Sequence, residues 1–141
     1  MRILVSACLL GLNTRYDGGD SRDPAVLALA ARHSLVPVCP EQLGGLPTPR
    51  PPCEIRSGRV VSCQGQDLTD AFEQGARLAM ETLKLCGCEA AVLKARSPSC
   101  GKGLVYDGSF TGRLTAGNGV LAGALLRQGI PVYTEAELDS L

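Results

Sequence analysis

Along this chain, apolar residues fall into short runs closed by small or polar residues, separated by segments of helical period. "RILVSA" (2–7) reads as a buried strand leading straight to Cys8. A glycine-rich loop, "GLNTRYDGGDSRD", follows it. Asp23-Pro24 then supplies an N-cap with proline at the first helical position, which predicts a short helix to about Arg32. "LVPVC" (35–39) is the second strand and again ends on a cysteine. The next stretch, "PEQLGGLPTPRPPCE", carries five prolines and two glycines, so neither helix nor interior strand is expected there. A loop of that length in a compact domain is expected to build a site.

"GRVVSC" (58–63) reads as a short strand, one arm of a hairpin with residues 53–56. From Thr69 to about Leu85, Ala71, Phe72, Ala76, Leu78, Ala79 and Leu83 mark an amphipathic helix, capped by Asp67 or Thr69 and closed by Gly87. "EAAVLKA" (89–95) is the third core strand, and it ends at "RSPSCGKG". "LVYDGSFTGRLT" predicts a hairpin turning at Asp107-Gly108. A helix over about 118–128, the strand "IPVYT" and a short helix "EAELDS" complete the chain. This alternation predicts an α/β fold: one three-layer, Rossmann-like domain over 1–141, with a mainly parallel sheet and helices on both faces.

Composition narrows the function classes. Apolar residues at 45% and charged residues at 20% describe a folded globular protein. A formal net charge of zero gives no electrostatic footprint for a nucleic-acid polymer or an anionic membrane, and leaves a small nucleobase ligand open. No run is long enough to span a bilayer and "MRILVSACLLG" is too short for a signal peptide, so a cytoplasmic protein is expected. Seven cysteines, an odd number in a chain read as cytoplasmic, argue for reduced thiols.

In parallel sheets, ligands bind beyond the carboxyl ends of the strands. Cys8, Cys39 and Cys100 each lie at or just past such an end. With strands one and two adjacent and strand three on the other side of strand one, the three thiols converge. Three thiolates without a fourth ligand make an open metal site, suited to zinc plus water or to an iron–sulfur cluster with one free iron. Cys100 as a lone nucleophile stays open, but it needs a base. The only histidine, His33, falls near the end of the first helix and reads as a solvated position. Cys63, Cys86 and Cys88 read as packing, and Cys53 in the proline loop is ambiguous. Of the polar groups nearby, Glu41 is a candidate to move protons. Asp17, Arg15, Arg50, Ser97 and Ser99 are candidates to hold a substrate or cap a turn.

"SACLLG" with "RYDGG", then "VPVCPE" with "GGLPTPRPP", "LKARSPSCG" and "YDGSFTG", occur in order from about residue 2 to residue 135. Together they resemble the bacterial thiouracil desulfidases. The resemblance implies a 4Fe–4S cluster held by Cys8, Cys39 and Cys100, with an open iron for the sulfur of a thiolated nucleobase. It also implies non-redox loss of that sulfur as hydrosulfide, with Glu41 as acid/base and Ser97 beside the substrate; Glu54 and Ser99 compete for those roles. Thr14 stands where many members have cysteine, and Cys53 where alanine is frequent. The expected molecule is thus a desulfidase, as a monomer or weak homodimer. A sulfur or metal carrier, or a zinc-dependent hydrolase using the same cysteines, are the alternatives.

Overall fold

The computed structural model describes residues Met1–Leu141, and four parallel strands organise it. Strand β1 (Arg2–Ser6) runs into a turn of 3-10 helix, Ala7–Leu10. Helix α1 (Pro24–Ala28) starts as expected: Asp23 accepts hydrogen bonds from the N–H groups of Ala25 and Val26, and Pro24 occupies the first turn. A 3-10 turn, Leu29–Ala31, carries it toward β2 (Ser34–Val38).

The proline-rich stretch departs from expectation, because it opens with a single helical turn, α2 (Pro40–Leu43). Pro40 sits in the first turn, where its missing N–H costs nothing, so the proline count did not forbid the helix. The expected hairpin follows as β3 (Cys53–Arg56) and β4 (Arg59–Ser62), paired antiparallel. Helix α3 (Thr69–Cys86) buries Phe72, Ala76, Ala79 and Leu83 and ends at Gly87, whose φ of 68° is the left-handed cap. Asp67 accepts from the Thr69 N–H, whereas the Thr69 hydroxyl faces the Val60 N–H on β4.

After β5 (Ala90–Leu93), strands β6 (Leu104–Tyr106) and β7 (Leu114–Ala116) pair antiparallel. Their connection is a wide loop over 107–113, not a tight turn at Asp107-Gly108. Glu54 Oε1 accepts from the N–H groups of Gly108 and Phe110, both at 3.0 Å, and Arg56 donates to the Gly108 carbonyl at 2.7 and 3.0 Å. The β3–β4 hairpin thus props this loop open. Helix α4 (Val120–Arg127) and β8 (Val132–Thr134) close the fold. The expected final helix over 135–140 is absent, because Glu135 and Glu137 turn back: they accept from the N–H groups of Ala95 and Thr134.

The sheet order is β2-β1-β5-β8, all parallel, so β1 has β2 on one side and β5 on the other. Alternation along β1 and β5 builds two cores. Leu4, Ala91 and Leu93 face α3 and α4 with Leu121 and Leu125. Ile3, Val5 and Val92 face Val26 and Leu29 on the other side. The result is the expected three-layer fold, with the strand ends at one edge brought level: Val5 is opposite Pro37 and opposite Val92. No helix is long and apolar enough to cross a membrane.

Candidate metal and substrate site

Cys8 lies on the 3-10 turn after β1, Cys39 is the residue between β2 and α2, and Cys100 follows the turn after β5. The edge is the one where the strands end. Burial raises the Cys8 thiol above its ordinary pKa, and Cys39 nearby raises it further, while Lys94, Ser21 and Arg15 pull it down. Cys100 is 4% exposed, and burial pushes its thiol up to about 12. Ser6 and Ser99 hydroxyls oppose that rise, and Glu41 and Cys8 add to it. The three thiols therefore share one electrostatic neighbourhood. No group of three His, Cys, Asp or Glu side chains is arranged to hold a single metal ion.

Glu41 projects from the first turn of α2 into the same region. Its Oε1 accepts from Arg50 Nε at 2.9 Å and its Oε2 from the Ser99 hydroxyl at 2.8 Å. The pair is largely buried, at 4% exposure for the arginine side chain and 14% for the glutamate. An ion pair out of water needs its remaining donors satisfied, and here they are. Besides Glu41, Arg50 donates to the carbonyls of Thr14 and Pro47, to Thr48 Oγ1 and, at 3.9 Å, to Cys39 Sγ. A guanidinium has five N–H groups, and all five are engaged inside the protein. Arg50, a candidate to hold a substrate, spends these donors on tying the 12–19 loop, α2 and the proline segment together.

"SPSC" folds as a tight turn on its own side chain: Ser97 Oγ accepts from the N–H groups of Ser99 and Cys100 at 3.2 and 3.0 Å. The carbonyls of Pro98 and Ser99 in turn accept from Val120, Leu121 and Ala122, the otherwise unpaired donors at the start of α4. Gly119 is obligatory beside this turn, since a Cβ there would stand 2.6 Å from the Ser99 carbonyl carbon. A second close approach sets α2 on α3. A Cβ on Gly75 would meet the Pro40 carbonyl oxygen at 1.8 Å, and one on Gly44 would meet that of Ala71 at 2.0 Å. These two glycines fix the depth of α2, and with it Cys39 and Glu41.

The structure thus gathers Cys8, Cys39, Cys100, Glu41, Ser97, Ser99 and Arg50. Arg15 stands at the margin, donating to Ser21 Oγ at 2.9 Å and to Asp17 at 3.3 Å. Asp17 is exposed and accepts from the Gly19 N–H, which holds its carboxyl below the usual range and spends it on its own turn. Glu54, the competing carboxylate, is committed to the 107–113 loop. Cys53 lies beside the site: burial, then Glu41, raise its thiol to about 11. Cys86 and Cys88 pack in the core around α3 and Cys63 is exposed.

Three neighbours were not singled out in the sequence. Ser6, Ser21 and Lys94 surround the thiols, and the Ser6 hydroxyl also accepts from the Lys94 N–H at 2.9 Å. A serine closing one buried strand and a lysine closing another were the available signals. An open cleft of about 570 Å³ lies elsewhere, at the amino edge, lined by Arg2, Arg32, His33 and Glu89 among others. A narrow recess too small to admit water runs between Cys53, Pro98 and Tyr106, next to the thiol edge.

Comparison with known proteins matches residues 3–137 to the family of 2-thiouracil desulfurases. A Bacillus subtilis protein described as uncharacterised, YbbK, is 37% identical over 149 residues, which span 99% of each chain. Among solved structures, a protein described as the [4Fe-4S]-dependent thiouracil desulfidase TudS superposes with a TM-score of 0.93. It is 44% identical, and the match covers 99% of this chain and 94% of that one.

Proposed function

The chain belongs to the 2-thiouracil desulfurase family, and on that premise we propose that it removes the sulfur of a 2-thiouracil-like base using a 4Fe–4S cluster held by Cys8, Cys39 and Cys100. The observation that carries the residue assignment is the placement of three thiols at the ends of neighbouring parallel strands, in a chain 44% identical to a cluster-dependent thiouracil desulfidase. The donor set fits the group. Cysteine thiolates are the protein ligands of such clusters, and Cys8, Cys39 and Cys100 all stand just past strand ends at one edge of the sheet. Three cysteines leave one iron without a protein ligand, and when bound the cluster supplies a Lewis acid for the substrate sulfur.

The protein's own groups supply the rest. Glu41, fixed by Arg50 and Ser99, is the carboxylate placed to take a proton from attacking water and return one to the departing group. Ser97 stands at the same edge, held by two backbone N–H groups. Lys94 and Arg15 bring positive charge toward Cys8 and favour its thiolate. The products are the oxo base and hydrosulfide, with no net electron transfer. Anaerobically reconstituted protein should carry iron and sulfide and release hydrosulfide and uracil from 2-thiouracil in equal amounts. Full cluster content with no release would favour a carrier that binds sulfide or metal through the same cysteines.

A further inference from the structure

Ser99 is 2% exposed, and its hydroxyl stands between Glu41 and Ser97. Its Oγ lies 2.8 Å from Glu41 Oε2 and 3.0 Å from Ser97 Oγ. A hydroxyl has one hydrogen to give and a carboxylate can only accept; of the two acceptors in reach, Glu41 Oε2 at 2.8 Å and Cys100 Sγ at 3.6 Å, the Ser99 hydrogen goes to the nearer, charged carboxylate. Ser97 Oγ already receives two N–H groups, which occupy both its lone pairs. The hydrogen of Ser97 therefore points to Ser99 Oγ. Donor counting leaves one direction for the chain: Ser97 to Ser99 to Glu41, with Arg50 closing it at the far carboxylate oxygen. The backbone of Ser99 is pinned as well, since Leu121 and Ala122 donate to its carbonyl at 2.8 and 3.3 Å and Gly119 lies against it.

We propose that Ser99 is a positioning residue that locks the Ser97 hydroxyl and the Glu41 carboxylate into one hydrogen-bonded line, so that the two act as a unit. This rests on the desulfidase reading of the site. It replaces the substrate-holding role expected for Ser99, whose hydrogen is already spent on Glu41. Residues 58 positions apart in the chain are joined by this one hydroxyl.

Two measurements test it. In isotopically labelled protein without its cluster, the Ser99 hydroxyl proton should exchange slowly enough with water to give its own NMR signal, coupled to the Ser99 side chain. Exchange as fast as for a surface serine would overturn the lock, whatever the protein's activity. In reconstituted protein, Ser99→Ala should keep normal iron and sulfide and leave KM unchanged. Its kcat should fall about ten- to a hundredfold, the scale of a lost hydrogen bond to a charged group. The same substitution made on top of Glu41→Gln should add less than about twofold, since residues acting as a unit are not additive. Full additivity, or a loss explained by missing iron, would make Ser99 an independent structural residue. A wild-type enzyme that releases no hydrosulfide from 2-thiouracil would instead count against the reaction, and the NMR result would still decide the lock.

Discussion

At their carboxyl ends, β2, β1 and β5 deliver three thiols, a buried ion pair and two linked serines into a region where the Arg50, Glu41, Ser97 and Ser99 side chains are all bonded. At their amino ends the same strands leave an open cleft of about 570 Å³, with arginines and a histidine at its rim. There His33 meets the amino group of Met1 through Nδ1, while its buried Nε2 has no partner. An open cleft alone would suggest the second place as a site; construction points to the first. Reactive groups must be held by residues that are themselves held, and at the carboxyl end Arg50, Ser97 and Ser99 form that second tier.

The strongest way to break this contrast is to remove the thiols one at a time. Cys8→Ser, Cys39→Ser and Cys100→Ser should each lose most of the bound iron and all turnover, because serine is a harder and poorer ligand than thiolate. Cys63, Cys86 and Cys88 substitutions should keep full iron. Iron and sulfide per chain, measured anaerobically, read the outcome, and a Cys100→Ser protein with normal iron would undo the assignment. Next in size is Glu41→Gln, which keeps shape but cannot take a proton. Hydrosulfide release should drop about 100- to 10,000-fold with the cluster retained, and unchanged turnover would leave the carboxylate a structural part.

Gly75→Ala probes the carboxyl end indirectly, through the seat of α2. Its methyl has no room beside the Pro40 carbonyl, so α2 must lift, at a cost of about 1–3 kcal/mol. A lower melting temperature together with poorer iron loading is the expected result; an unchanged melting temperature would mean that α2 is not seated there. Cys53→Ala should leave iron unchanged, and loss of iron would mean a fourth protein ligand. The smallest effect belongs to the amino edge. His33→Gln should shift stability by no more than about 0.5 kcal/mol and leave kcat and KM untouched, and a catalytic defect there would erase the distinction between the two ends.

The strands, their order and the meeting of the thiols were legible, because buried parallel strands write themselves as apolar runs and place ligands at their carboxyl ends. The misjudged elements share a cause: each depends on partners remote in sequence. The 107–113 loop is shaped by Glu54 and Arg56, and the last segment is turned by its own glutamates binding Ala95 and Thr134. Helix α2 was hidden by prolines, one of which starts it. At the candidate site, the placing of the cysteines and Glu41 just past the strand ends could be expected from motifs, whereas the inward turn of Arg50 and the bond from Ser99 to Glu41 exist only once α2 meets the turn after β5. Gly75 was the overlooked signal, since a glycine inside a long helix usually marks a close approach.

The order β2-β1-β5-β8 also sets a schedule. The first strand made is a central one, and it waits for β5, whose residues are synthesised almost ninety positions later, before its second flank is covered. A nascent chain that has emerged only as far as the hairpin β3–β4 can pair β1 with β2 and bring Cys8 near Cys39, but it lacks Cys100 altogether. With Cys8, Cys39 and Cys100 as the proposed ligands, cofactor loading cannot be complete before Cys100 has been made. A ribosome-bound chain truncated before residue 100 should take up no stable cluster, and the full chain should acquire one only after the sheet has closed around β1.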